Sequence, residues 1–241
     1  MAGTNGGGAF VLIYLACIVV IGLPIMMAEI VIGRRASSSP VNSMKSAALD
    51  SNRSSNWQLI GWGGLVAGIL ILSFYSVLAG ICINYIFISA LPDLQLSSEE
   101  QFSITTSSAS NLLIWHTVFI LVTAGVIASG IKNGIGRFVR VLMPLLGFIL
   151  ILMVLNAVIN GDFLRGLQFL FSPDFSQVNP QTFLSAMGQA FFSLSLGMGA
   201  IMTYGAYMSD DQKILSTSVT VGGLDTLVAL MAGLAIFPII F

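Results

Sequence analysis

Charge is what this chain has least of. Asp, Glu, Lys and Arg make up 8% of its 241 residues, against about a quarter in soluble domains. So few charges cannot cover a globular surface, which argues against a soluble protein and leaves nucleic acid outside the expected partners. Histidine occurs once, as His116, and cysteine twice, as Cys17 and Cys82. Both cysteines fall in apolar runs and read as small apolar fillers rather than a disulfide. No basic residue precedes Arg34, and the N-terminus "MAGTNGGGAF" has no charged region or cleavage pattern of a secretory signal. No short-period repeat is visible.

What the chain does have is long hydrophobic sequence, 56% of all residues, with a mean hydropathy of +0.95. Six runs follow one another, at about 9–32, 57–91, 112–131, 138–159, 182–208 and 214–241. Each reaches the roughly 20 residues that span a bilayer as a helix. Their apolar residues are continuous rather than alternating, which favours helices over a membrane barrel. The expected class is all-α: one transmembrane domain, a polytopic helical bundle in a lipid bilayer. Trp57 and Trp62 suit the interface at the start of the second run. Residues 36–56 read as a linker with a short helix around "VNSMKSAAL", and 91–111 as a polar loop. Pro24, Pro144 and Pro238 predict kinks.

The placement of the few charges predicts the orientation. Of nine Lys and Arg, eight fall on one side: Arg34, Arg35, Lys45 and Arg53; Lys132, Arg137 and Arg140; and Lys213. The other side holds Arg165 with Asp93, Glu99, Glu100, Asp162 and Asp174. The positive-inside rule makes loops 33–56 and 131–138 cytoplasmic, in a multi-pass protein of the plasma membrane. The chain then starts outside without a signal and stops within a run, so a segment of a longer protein is expected.

Two features stand out inside the runs. Asp225, in "VTVGGLDTLVALMAG", lies well within the last one, where a carboxylate costs about 2.5–3.5 kcal/mol on insertion scales. It needs a cation, a proton or a hydrogen-bonding neighbour. The fifth run carries "FFSLSLGMGAIMTY", with Ser193, Ser195, Gly197 and Gly199 at its centre. Four weak helix formers in seven residues, spaced by two, line no single helical face. They predict an interrupted helix around 193–199. Its freed backbone groups survive in a membrane only beside a polar cavity or a ligand. Half-helix N-termini attract anions and freed carbonyls attract cations, so a zwitterion and a metal cation are the expected guests.

At this point the sequence resembles the neurotransmitter:sodium symporters, of the bacterial leucine-transporter fold. The similar stretches are "NGGGAF" at 5–10, "GLPIMMAEIVIGR" at 22–34, "SFYSVLAG" at 73–80, "GIKNGIGRF" at 130–138, "FLFSPDF" at 169–175 and "GQAFFSLSLGMGAIMTYGAY" at 188–207. The resemblance implies a partial inverted-repeat fold in which the six runs are family helices two to seven, and a segment unable to transport alone. It implies an amino-acid-like substrate carried with Na+. Ser193 and Asp225, 32 residues apart, match sodium ligands, and all-oxygen ligation suits that hard cation. Tyr75 matches the tyrosine that bonds the substrate carboxylate, with Ser195 near the amine. Ile71, Phe192 and Met198 would line the side-chain pocket, Met198 favouring hydrophobic or aromatic substrates.

Tyr14, Gln189 and Ser193 match chloride-site positions of some members, but Ala229 stands where chloride-dependent members carry Ser, so chloride stays open. Glu29 reads as a packing or gate residue. Competing readings are a proton-coupled transporter of the same fold, a channel and an intramembrane protease. The spans lack a channel's polar stripe. An aspartyl protease needs a second midspan aspartate and a serine type a nearby histidine, whereas His116 sits near the end of its run. The chain is not expected to be an enzyme.

Overall fold

In the computed structural model the described residues are 3, 5–90, 98–130 and 134–241. Asp93, Lys132 and parts of the 91–111 and "GIKNGIGRF" segments lie outside them. All named elements among the described residues are helices: α1 Gly8–Cys17, α2 Leu23–Ala36, α3 Pro40–Asp50, α4 Gln58–Ser89, α5 Ser98–Ser107, α6 Ala109–Ala128, α7 Gly136–Asn160, α8 Phe163–Phe171, α9 Pro180–Ser193, α10 Ala200–Ala206 and α11 Ile214–Ile240. Among the described residues five helices are long and apolar enough to cross a membrane: Gly8–Ala36, Ser55–Ser89, Ala109–Ala128, Gly136–Asn160 and Ile214–Ile240. The fifth hydrophobic run is instead divided between α9 and α10. The residues form two compact units, Met1–Val66 with Leu145–Phe241, and Ala67–Pro144.

The first unit is organised by the span from α1 to α2, which is not a uniform α-helix. A π-turn at Ile18–Gly22 joins its halves. Pro24 follows at the start of α2; its ring would clash with the carbonyl four residues back, and it has no N–H to donate. Widening the helix just before the proline relieves both. The extra residue also sets the register. Buried residues run from Phe10, Tyr14 and Cys17 to Met26, Glu29, Ile30 and Gly33. In an unbroken α-helix, about 100° per residue would swing Gly33 about 140° away from Phe10, whereas absorbing one residue in the π-turn leaves about 40°.

That single buried face packs against the broken span. Phe10, Tyr14, Cys17, Ile18, Met26 and Ile30 form one core with Ala186, Ala190, Leu194 and Leu196. At the other end α2 crosses α10 backbone to backbone: a Cβ on Gly205 would lie 2.7 Å from the Ile30 carbonyl, and one on Gly33 would strike that of Met202. Small residues permit such approach in membranes, where tight van der Waals packing replaces the hydrophobic drive. Helix α9 starts cleanly because Asn179 and Thr182 form a reciprocal capping box with Pro180 in the first turn. Helix α8 lies on the end of α11, where the Asp162 amide donates to the Pro238 carbonyl at 2.9 Å.

In the second unit, α5 corrects the reading of 91–111 as a loop. Residues 98–107 are helical, and buried Thr105 accepts a 3.5 Å hydrogen bond from buried Asn84 of α4. A polar segment with no apolar stripe depends on such a tertiary contact, which composition does not reveal. Phe87 of α4 stacks on Trp115 of α6 at 5.1 Å. The short helix expected within 36–56 is α3, and both cysteines are free thiols.

If the π-turn sets register, deletions along this span have unequal effects. Removing Val20, 71% exposed within the π-turn, converts the turn to α-helix and keeps both buried faces aligned. The melting temperature of the purified protein should stay within about 4 °C. Removing Ala28 must misplace either Met26 or Glu29 and should abolish folded protein on size-exclusion chromatography.

Candidate functional site

The broken span is shaped by its backbone. Helix α9 ends at Ser193 and Leu194 leaves helical geometry at φ −82°, ψ 1°. Ser195 follows in the left-handed region at φ 55°. The Ser195 amide bonds back to the Phe192 carbonyl at 3.1 Å and the Leu196 amide to Phe191 at 2.9 Å. This pair is a Schellman closure, and Leu196 and Phe191 both belong to the apolar core around it. A serine in that position costs about 1 kcal/mol, which glycine would avoid, so something other than chain stability favours its hydroxyl. Gly197 at φ 79° and Gly199 at φ 76° complete the break, and they are the residues able to turn there without strain. Helix α10 then begins at Ala200.

Three neighbours hold the break. The Gly197 amide donates to Glu29 Oε1 at 2.7 Å, a short bond accepted by a carboxyl group that is 5% exposed. Gly64 of α4 lies so close that a Cβ there would be 2.9 Å from the Gly197 carbonyl oxygen. Pro40, the first residue of α3, reaches Gly199: a Cβ on that glycine would lie 2.9 Å from the proline ring. Sequence reasoning placed Glu29 only as a packing or gate residue and did not find Gly64 or Pro40. The one available signal was a lone acid in the apolar stretch "MMAEIVIG".

At the α9 side of the break, three expected residues meet. Tyr14 Oη is 3.1 Å from Ser193 Oγ and donates to Asp225 Oδ2 at 3.4 Å, a long contact for O–H···O. Tyrosine has one proton to give. When it points to Asp225, Ser193 donates to Tyr14, and the serine oxygen keeps lone pairs for another partner. Asp225 is half-buried and turned toward this cluster. Beside it is a cavity of about 240 Å³ whose polar lining includes Tyr14 and Gln189, with Ala229 and Phe10 among its apolar walls.

The other expected residues are placed as follows. Ser195 and Met198 are in the break and half-buried. Phe192 is in the last turn of α9 and 41% exposed. Ile71 and Tyr75 belong to the second unit, one helical turn apart on α4. Among the described residues no three His, Cys, Asp or Glu cluster as a transition-metal site would require. A serine hydroxyl, a carboxylate and backbone carbonyls instead make a hard-oxygen set, suited to an alkali or alkaline-earth cation.

Comparison with known proteins fits this geometry. The sequence profile of the sodium:neurotransmitter symporter family matches residues 1–111 and 94–241. This chain is a member of that family. A sodium-dependent transporter of Bacillus subtilis (strain 168), YhdH, is 37% identical over 245 residues, covering 100% of this chain and 53% of the relative. One of Haemophilus influenzae is 35% identical over 251 residues, covering 100% and 55%. The crystal structure of MhsT in complex with L-phenylalanine aligns with a TM-score of 0.89 at 43% identity, covering 98% of this chain and 54% of that one. The chain thus spans about half the length of the relatives it matches. Its fold is that of the matched half of MhsT, all-helical with a discontinuous span as the sequence predicts, and it is a membrane protein of a transporter family.

The contacts around the break make paired predictions. Glu29→Ala takes away the acceptor of the Gly197 amide in a part-buried bond and should cost about 1–3 kcal/mol, read as a lowered melting temperature. Glu29→Gln, which keeps an acceptor, should lose less. Gly64→Ala should destabilise by driving a methyl into the Gly197 carbonyl, while Gly63→Ala next to it, whose Cβ would meet nothing within 4 Å, should not.

Proposed function

We propose that these residues form part of a sodium-coupled symporter that carries an amino acid or a related zwitterion by alternating access. The observation that carries the reading is the interruption between Ser193 and Ala200 with Tyr14 and Asp225 beside it. Peptide dipoles ending α9 and starting α10 offer carbonyls to a cation and amides to a carboxylate, an arrangement for which transporters of this very fold are the type example. Sodium, as co-transported cargo, is assigned to Ser193 and Asp225. Ser195 is assigned to the substrate amine, and Phe192 and Met198 to its side chain. The roles of Tyr75 at the carboxylate and Ile71 at the side chain rest on the family motif "SFYSVLAG". A hydrophobic or aromatic amino acid is the favoured substrate, in keeping with the L-phenylalanine bound to MhsT. The basic loops 33–56 and 131–138 face the cytoplasm of a plasma-membrane protein.

Chloride is not needed in this reading. Asp225 supplies a fixed negative charge next to the sodium site, and Tyr14 already contacts it. Ala229 adds neither a hydroxyl nor a second acid to the cavity beside it.

Uptake by proteoliposomes holding a full-length transporter that carries these residues tests the proposal. Replacing sodium by choline at fixed pH should abolish uptake, and replacing chloride by gluconate should leave it unchanged. Uptake that survives in choline and follows a pH gradient would overturn sodium coupling in favour of protons. Phenylalanine or leucine should outcompete glycine and γ-aminobutyrate; strong preference for a small polar substrate would remove the pocket assignment. Asp225→Asn should weaken sodium dependence on the order of tenfold or more and make the remaining uptake respond to chloride.

A further inference from the structure

The second unit contains a groove that the transport reading does not use. It lies where the end of α6 meets the start of α7, with a volume of about 500 Å³. Val122 and Val126 form one wall, and Phe138, Val141 and Leu142 the other. Gly125 is its floor, and a Cβ on that residue would meet nothing within 4 Å, so the glycine leaves open space rather than making a tight helix contact. Arg137 also lines the groove, and Arg140 follows on the same helix about one turn on. Both arginines are exposed, and no carboxylate among the described residues pairs with either. Ser129, also at the groove, spends its hydroxyl on the Gly125 carbonyl at 3.0 Å.

We propose that this groove binds one anionic glycerophospholipid, its phosphate held by Arg137 and Arg140 and an acyl chain laid along Val122, Val126, Val141 and Leu142. The charge pattern selects this occupant. The Arg137 guanidinium lining an apolar slot, with Arg140 about one turn on along the same helix, matches a phosphate attached to a hydrocarbon chain, and arginine presents the planar fork that phosphate oxygens accept. A basic pocket between transmembrane helices on the cytoplasmic side is a recognised form of headgroup site. The proposal rests on the orientation that makes the 131–138 loop cytoplasmic. A free anion would leave the apolar slot unfilled, and a zwitterionic lipid would leave the arginines uncompensated.

Native mass spectrometry of the protein released from detergent micelles tests this without depending on transport or on which leaflet the groove meets. The probes are phosphatidylglycerol and phosphatidylcholine of the same chain length, added at equal concentration. One phosphatidylglycerol should be retained in preference, with the preference falling about fivefold for each arginine removed in Arg137→Gln and Arg140→Gln. Gly125→Leu fills the slot, keeps both charges and should expel the lipid. The arginine variants alter exposed side chains and remain informative if the glycine variant does not fold. Equal retention of the two lipids, or a preference unchanged by Arg137→Gln with Arg140→Gln, overturns the proposal. So does displacement of the lipid by inorganic phosphate, which would mark a free-anion site.

Discussion

A helix interrupted inside hydrocarbon survives only if the backbone groups it releases find partners, because each one left alone costs several kcal/mol. In this chain the bond between the Gly197 amide and Glu29 meets that demand. The Schellman closure at Ser195 satisfies the Phe191 and Phe192 carbonyls of α9 locally, but Gly197 has turned away from any helix of its own. A buried carboxylate from a neighbouring span fills the gap. The remaining contacts follow from that one: Gly64 and Pro40 can approach the break closely because its backbone is fixed in place.

The span from Gly8 to Ala36 therefore works as a jig. Its first half presents Tyr14 to Ser193 and its second half presents Glu29 to Gly197. Both must emerge on one face, and the π-turn at Ile18–Gly22 supplies the register correction. A π-turn forfeits regular hydrogen bonding, so its presence in a membrane span is a cost that the alignment of these two side chains offsets. The placement of Pro24 directly after it ties the correction to a fixed position in sequence.

Some of this is legible in the residues and some is not. The interruption is legible because helix propensity is a local property: Ser195, Gly197 and Gly199, singled out as weak formers, are the three residues of the break with positive φ. The meeting of Ser193, Tyr14 and Asp225 was reached through family motifs rather than through spacing. The π-turn is not legible, because a span that is apolar all round has no periodicity in which a one-residue slip would show. Glu29 is visible as an acid in a greasy stretch, but its partner is a backbone amide 168 positions away, which no side-chain pattern marks. The contacts of Gly64 and Pro40 are likewise with backbone or with glycine.

Two carboxylates stand beside the same break, and their surroundings assign them different work. Glu29 is 5% exposed and committed to a 2.7 Å bond with the backbone. A cation that drew Oε1 off that bond would leave the Gly197 amide without its acceptor. Asp225 is half-buried and accepts the longer 3.4 Å hydrogen bond from Tyr14. A proton on Tyr14 can turn from Asp225 to Ser193 at little cost, since both oxygens lie within reach. In the proposed reading, ion binding at Asp225 asks for a hydroxyl rotation, whereas one oxygen of Glu29 is already spent on the support of the break. In the proposed reading the ion binds and leaves many times, and Asp225 is the acid that can release it without drawing on the bond that holds Gly197.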